Sequence, residues 1–315
     1  VSGAQPLRVR VAIPHFFQEQ AGEGPYGSSR RGARAARALA LGRCLSALLD
    51  LQRGARDLRL HIGGRRIEHL PAQPPAGAVL ERPLELQIQV CTDGDHQLDE
   101  VLELFAGRIE VQSLGIDDPR SLALRTRDQL IREGEIADLI LYLEDDLVIA
   151  DPLFLDKQAW FLAQTEGRMV LMPHRYERVD RGGAGVMLID GPLRDDFIQR
   201  FCTPSADRVI GSFGSGPPIH FDVPANPHAG CFCLSRPQVE RLRGLPLPQE
   251  GFVGPLETAA TLTVLQHLEV LKPSLPHWRF LSVEHAHAAF LGYIDRFPIG
   301  PLSLTPSPPA SDATT

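Results

Sequence analysis

The sequence predicts an α/β sandwich built on a central mixed, mostly parallel sheet. Two observations carry that prediction. Strand-like and helix-like segments alternate along the chain, with a βαβ layout of the nucleotide-binding kind in its early half. Residues 139–143 (LILYL) form a continuous apolar run, the pattern of a strand buried on both faces of such a sheet. At 315 residues, 43% of them hydrophobic and 23% charged, the chain is long enough to bury a sizeable core.

Taken in order, residues 8–13 (RVRVAI) alternate polar and apolar side chains and run into Pro14, as a first strand would. Gly22, Gly24, Pro25 and Gly27 then break the chain, and Ser28 and Ser29 offer caps for a helix. Its apolar positions Leu41, Cys44, Leu45 and Leu48 recur at helical spacing to about Leu51. Strands are expected at 58–62 and 84–90, separated by the Pro/Ala-rich stretch 71–78; the second delivers Thr92, Asp93, Gly94 and Asp95 to a loop. Asp118 and Pro119 read as N-cap and first residue of a helix that buries Leu122, Leu130 and Ile131 and ends near Glu133. Beyond LILYL, strands are expected at 169–172, 185–189, 231–234 and 280–283, with a helix from about 257 to 271. Residues 301–315 carry too few large apolar side chains to offset ordering entropy and read as a flexible tail.

Thirty-two Lys plus Arg against 39 Asp plus Glu give a formal charge of −7, which argues against a dedicated nucleic-acid binder. An anionic substrate would need a local basic site. No stretch approaches the roughly 18–20 apolar residues of a membrane span, and residues 1–13 lack the order of a secretory signal. The chain starts with Val, so prior removal of a targeting segment stays open. Its five cysteines, Cys44, Cys91, Cys202, Cys231 and Cys233, form neither a disulfide framework nor a paired zinc spacing, and a cytoplasmic, reducing setting is the default expectation.

The sharpest feature is Glu144-Asp145-Asp146, placed between LILYL and Leu147-Val148-Ile149. Three carboxylates at the exit of a buried strand raise one another's pKa unless a cation intervenes. Mn²⁺ or Mg²⁺ meets that need, because such ions prefer oxygen ligands, and Mg²⁺ commonly takes one or two carboxylates with substrate phosphates and water. Side chains alternate along a strand, so Glu144 and Asp146 share a side unless the chain has already turned. Asp146 is the most direct metal ligand and Glu144 the second. The competing reading is a solvated strand-to-loop turn.

An apolar strand, Glu-Asp-Asp, Leu-Val-Ile and then Phe154, Trp160 and Phe161 resembles the DxD-type metal motif of GT-A glycosyltransferases. The resemblance implies a GT-A-like, Rossmann-like α/β/α sandwich forming a single catalytic domain over residues 1–300. Its nucleotide-binding half would reach to about residue 150 and its acceptor-binding half would span about 151–300. The implied activity is metal-dependent transfer of a sugar from a nucleotide-diphosphate donor, a UDP-sugar by expectation, to an acceptor hydroxyl, with Mn²⁺ or Mg²⁺ as cofactor.

Three further stretches carry the resemblance. Asn226-Pro227-His228-Ala229-Gly230 ahead of Cys231-Phe232-Cys233-Leu234-Ser235 is similar to the glycine-bearing loop and strand that line donor sugar and acceptor. Gly230 would let the backbone approach a ligand closely, or is an ordinary turn glycine. Gly254-Pro255-Leu256-Glu257-Thr258-Ala259 resembles the family's xED motif: Glu257 matches the Glu, while Thr258 stands where inverting members carry an Asp base, a role threonine does not fill at neutral pH. Glu257 and Asp145 are thus the candidate catalytic residues. Glu257 would act as base if the enzyme inverts or as a sugar or acceptor ligand if it retains; the alternative is a first-turn Glu complementing a helix dipole. Glu284-His285-Ala286-His287 resembles the C-terminal histidine that completes the metal shell, and alternation puts His285 and His287 on one side, so either could be the ligand.

For the donor, the loop Ile13-Pro14-His15-Phe16-Phe17 supplies His15 and Phe16 to base and ribose, with at least one Phe as a core anchor. Asp93 and Asp95 would bind ribose or base, or simply form a turn around Gly94; Glu144, Asp145 and Gly230 complete the donor side. Arg30, Arg34 and Arg37 form a basic helix face beside Arg31, and Arg125 and Arg127 precede the acidic strand. One arginine is expected to reach the diphosphate, with Arg125 as the choice. Two rivals share the layout: a sugar-phosphate nucleotidyltransferase, and a non-catalytic carbohydrate- or nucleotide-binding module. Loops 174–185 and 203–225 read as acceptor-side lids.

Overall fold

In the computed structural model, residues 5–19, 32–54, 56–71, 73–80, 82–133, 137–180 and 185–301 are described. The chain opens on β1 (Leu7–Pro14) and α1 (Arg34–Asp50), and the hairpin β2 (Arg56–His61) and β3 (Arg66–Pro71) leads to β4 (Leu84–Thr92). Then come α2 (Asp99–Leu104), β5 (Glu110–Ser113) and α3 (Leu122–Asp128), which runs on into a π-helical turn over Gln129–Glu133. β6 (Leu139–Leu143) and β7 (Leu147–Val148) bracket the acidic triplet. After them follow α4 (Phe154–Gln164), β8 (Met169–Leu171), β9 (His174–Arg178), β10 (Val186–Leu188) and α5 (Asp195–Ile198). The remainder is the hairpin β11 (Ser205–Ser212) and β12 (Pro218–Val223), then β13 (Cys231–Ser235), α6 (Arg236–Arg243) and α7 (Pro255–Glu257). A second π-helical turn over Thr258–Leu262 joins α7 to α8 (Thr263–Leu265), ahead of β14 (Glu269–Pro273) and β15 (Ser282–His285).

The central sheet has the order β13-β6-β1-β4-β5. β6, β1, β4 and β5 are parallel and β13 alone runs antiparallel, against β6. The mixed, mostly parallel α/β architecture read from the sequence is therefore present. All five residues of β6 are buried, as a strand flanked on both faces requires. Leu41, Cys44, Leu45 and Leu48 of α1 join the same core, and Tyr142 stacks on Phe232 of the neighbouring strand with ring centroids 5.4 Å apart.

From β1 the chain moves outward to β4 and β5 and then returns to place β6 on the other side of β1. The direction of winding thus reverses between β1 and β6. In open α/β sheets this is where a crevice opens beyond the C-terminal strand ends. His15 follows β1 and Glu144-Asp145-Asp146 follow β6, so both fall in that crevice. Two four-stranded sheets, β10-β9-β15-β7 and β11-β12-β14-β8, bring later parts of the chain to it.

Several expectations change. The helix expected over 257–271 ends at Leu265, and residues 269–273 are instead strand β14, paired with β8 and β12. Its apolar positions suit either period, and partners on both sides decide for the strand. The strand expected at 280–283 lies at Ser282–His285, after a 3₁₀ turn over Leu275–Phe280. Much of the expected lids is sheet: residues 174–178 are β9, and 205–212 with 218–223 form the β11–β12 hairpin, whose Phe213 and Phe221 pack on Trp160. Ser28, Ser29, Arg30, Arg31 and the tail from 302 onward lie outside the described residues. Among the described residues no helix is long and apolar enough to cross a membrane.

Candidate active site

Backbone hydrogen bonds hold the acidic loop from both sides before any side chain acts. The Glu144 N–H donates to the Gly230 carbonyl at 3.0 Å, and the Asp146 carbonyl accepts from the Ala286 N–H at 2.8 Å. Cationic side chains then meet Asp145 and Asp146 at hydrogen-bond distance and Glu144 only from farther off.

Asp145 points to β1 and α1. His15 is fully buried; its Nε2 accepts the Leu98 N–H at 3.1 Å, so Nδ1 carries the proton and donates it to Asp145 Oδ2 at 2.6 Å. Arg37 Nη2 meets Asp145 Oδ1 and Oδ2 at 2.5 and 2.6 Å, while Arg37 Nη1 meets Asp146 Oδ2 at 2.9 Å. Burial alone would push Asp145 up, yet Arg37 and His15 hold it below the usual carboxylate range. His15, expected against a nucleobase, has both ring nitrogens committed within the protein. Among the described residues of the basic helix face, Arg37 reaches the acids and Arg34 pairs with Glu100 at the surface.

Asp146 faces β15. His285 Nε2 lies 3.5 Å from Asp146 Oδ2, and His285 Nδ1 donates to Glu177 Oε1 at 2.8 Å. Burial disfavours the charged ring, but Asp146 and Glu177 outweigh it and push His285 up to about 9. Asp146 itself stays well below the usual range: burial raises it, and His285 and Arg37 more than reverse that.

Glu144 is the member of the triplet without a close cation. Its Oε2 is 3.8 Å from Arg175 Nη1, and its Oε1 is buried with no hydrogen-bond partner. Burial above all, opposed by Arg175 and reinforced by Asp146 and Glu257, pushes it up to about 8. Gly230 packs directly against this carboxyl. Its φ of +64° is left-handed, and a Cβ there would stand 2.6 Å from Glu144 Oε2 and 2.9 Å from Leu147 Cδ1, so only glycine fits the loop as built.

A second buried network backs the first. Arg175 Nη2 donates to Asp190 Oδ1 at 2.8 Å, and Lys272 Nζ reaches the His228 carbonyl at 2.5 Å and Asp190 Oδ2 at 3.4 Å. His228 Nδ1 and Thr261 Oγ1 are hydrogen-bonded at 2.8 Å, which ties the 226–230 loop to the π-helical turn that follows Glu257. Such turns often mark functional sites. Glu257 is partly buried and close enough to influence Glu144 electrostatically, whereas Thr258 is buried beside the Phe252 backbone.

The remaining expected residues are more dispersed. Asp93 closes the Gly94 turn, accepting the Asp95 and His96 N–H groups and the His96 ring, and Asp95 is exposed. Phe16 packs beside His96 and Phe17 is the core anchor. Arg125 is exposed on α3, while Arg127 is fully buried and bonded to Asp128, the Pro248 carbonyl and Thr263. His287 is partly buried and senses Arg37, Asp146 and His285. Sequence reasoning missed Arg175, Glu177, Asp190 and Lys272. The one available signal was Asp190, a second acid at the end of an apolar strand.

Asp146 and His285 are the residues that could hold a divalent ion shared with a bound ligand. Among the described residues no group of three or more His, Cys, Asp or Glu side chains could hold a metal by itself. Asp146 and His285 nevertheless bring an oxygen and a nitrogen within 3.5 Å of each other, and the unpartnered Glu144 Oε1 calls for a donor or a cation. One or two protein ligands suffice for Mg²⁺ when phosphate oxygens and water supply the rest.

Fold and crevice together define a Rossmann-like α/β protein with a charged cleft at its switch point. No protein-family model and no curated protein matches the chain. Among solved structures, it is similar to residues 1–349 of TarS from S. aureus at 12% identity and a TM-score of 0.41, over 84% of this chain and 57% of that one. It is also similar to GalNAc-T7, crystallised with UDP, GalNAc and Mn²⁺, at 12% identity and a TM-score of 0.45, over 89% of this chain and 43% of that one. This chain thus spans about half the length of the structures it resembles.

Proposed function

We propose that this protein is a GT-A-type glycosyltransferase that moves a sugar from a nucleotide-diphosphate donor, a UDP-sugar, to an acceptor hydroxyl. The observation that supports this best is the acidic triplet at the reversal of strand winding, where one carboxyl oxygen is buried without a partner and a left-handed glycine packs against the same carboxyl. In this reading residues 1–300 act as one domain, with the donor bound by the half up to about residue 150 and the acceptor by the half beyond.

Asp146 and His285 would hold Mn²⁺ or Mg²⁺. Such an ion would supply positive charge to offset the charge that develops on a leaving diphosphate. Asp145, whose two oxygens are held by Arg37 and His15, would brace the β1 side of the donor pocket. Glu144, whose carboxyl burial pushes up to about 8, would complete the donor side of the site next to Gly230. Glu257, on the acceptor side, is the candidate to take the hydroxyl proton.

Supplying UDP-sugars with Mn²⁺ is expected to release UDP, whereas NTP plus sugar phosphate should release no pyrophosphate. Asp146→Ala should abolish UDP release while leaving the circular dichroism spectrum unchanged. Retained turnover in that variant would overturn the proposal.

A further inference from the structure

We propose that Glu177 is a positioning residue that orients His285 so that its Nε2 becomes the protein's nitrogen ligand to the divalent ion. This rests on the metal reading above and selects His285 over His287. The strand register supplies the first argument. β15 runs parallel to β9 with Ser282 opposite His174 and Glu284 opposite Tyr176, so the next step brings His285 alongside Glu177. β15 also pairs with β7, where His285 lies opposite Leu147, immediately after Asp146. One strand therefore carries the histidine between a carboxylate that can orient it and a carboxylate that can share an ion with it.

Hydrogen bonding supplies the second argument. Glu177 is fully buried and its carboxylate offers acceptors only. Oε1 takes the Ala289 N–H at 2.8 Å and the His285 Nδ1–H at 2.8 Å, and Oε2 takes the Phe290 N–H at 3.1 Å. The two backbone bonds fix the carboxylate, and the carboxylate fixes the ring. With Nδ1 committed as a donor, the nitrogen left to an ion is Nε2. It lies 3.5 Å from Asp146 Oδ2, which also accepts from Arg37 Nη1 at 2.9 Å, so an ion bound between ring and carboxylate would take the place of the Nε2 proton. A metal-bound histidine usually gives its other N–H to a carboxylate or carbonyl in this way, and loss of that partner weakens metal binding by about 10–100-fold.

The test is a Mn²⁺ titration of the full chain, followed by electron paramagnetic resonance with and without UDP. Electron spin-echo detection then reads a histidine nitrogen bound directly to the ion. Wild type should show that nitrogen, and His285→Ala should lose it. Glu177→Ala should raise the Mn²⁺ dissociation constant by about 10–100-fold and lose the nitrogen signal. Glu177→Gln, which keeps a neutral acceptor oxygen, should restore the signal and part of the affinity. UDP binding in EDTA and the melting temperature serve as controls that a purely structural role would move.

Wild-type affinity and an intact nitrogen signal in Glu177→Ala, with Mn²⁺ binding still abolished by Asp146→Ala, would overturn the positioning role and leave the metal reading standing. Loss of metal-free UDP binding together with Mn²⁺ affinity in Glu177→Ala would make Glu177 structural and overturn the proposal. Failure of the wild type to take up Mn²⁺ with or without UDP would overturn both.

Discussion

A guanidinium buried to 5% exposure is costly to desolvate, and Arg37 offsets that cost by meeting Asp145 with one nitrogen and Asp146 with the other. Removing it strands two carboxylates in a dry pocket. Arg37→Met should therefore lower unfolding stability by about 3–5 kcal/mol, read as a shift in the urea midpoint. Arg37→Lys should recover little of the loss, because a single ammonium cannot span both acids as a planar fork does. The triplet was legible in the sequence because acid so seldom follows so apolar a strand. Arg37 was visible only as one of three regularly spaced arginines: helical spacing defines a face but does not say which member meets an acid 108 residues away. His15 was read as a contact to the base, and nothing local to it reveals that Leu98 and Asp145 take its two nitrogens.

Elements of strong, unambiguous period were recovered from the sequence nearly to the residue: β1, β4, β6, β13 and the body of α1. Elements held mainly by partners were lost. β14 was read as helix, and β9, β11 and β12 as loops, because their alternation is imperfect and their pairing is long-range. Glu177, Arg175, Asp190 and Lys272 went unseen for the same reason, as no local pattern joins residues brought together by strand pairing. A shorter-range signal passed unused at the start of α6. Ser235 and Gln238 form a reciprocal capping box with a proline in the first turn, a signature written in the order Ser-Arg-Pro-Gln. Ser235→Ala should lower stability by about 1 kcal/mol, measurable by urea denaturation, and should leave UDP binding unaltered because the cap lies at the N-terminal end of β6, away from the acids.

Across the whole molecule, the layered α/β architecture follows from the alternation of elements, whereas the strand order that sets the crevice does not, and the buried charge does not follow from composition. A chain of net charge −7 discloses nothing of the arginines, lysine and histidines that sit inside it. Those buried bases set a pH response. Burial, helped by Lys272, lowers His174 to about 4 from 6.5, and burial with Arg175 also holds His228 well below its usual value. At these two rings the native and unfolded chains bind protons equally above about 6.5, and the unfolded chain binds more below it. Stability from these rings is complete above that value and falls as the pH drops toward 4. Melting temperatures across this range should decline, and His174→Gln, which cannot take up the proton, should flatten the decline.

The acidic loop is clasped by Gly230 on one side and Ala286 on the other, while its strongest cation comes from α1. Its neighbours are thus spread from near the start of the chain to near its end. During synthesis Arg37 is already waiting when the acids leave the ribosome, but the clasp closes only after some 140 further residues have followed. Until then the cleft is half made, and a chain halted midway would carry its acids with no floor beneath them.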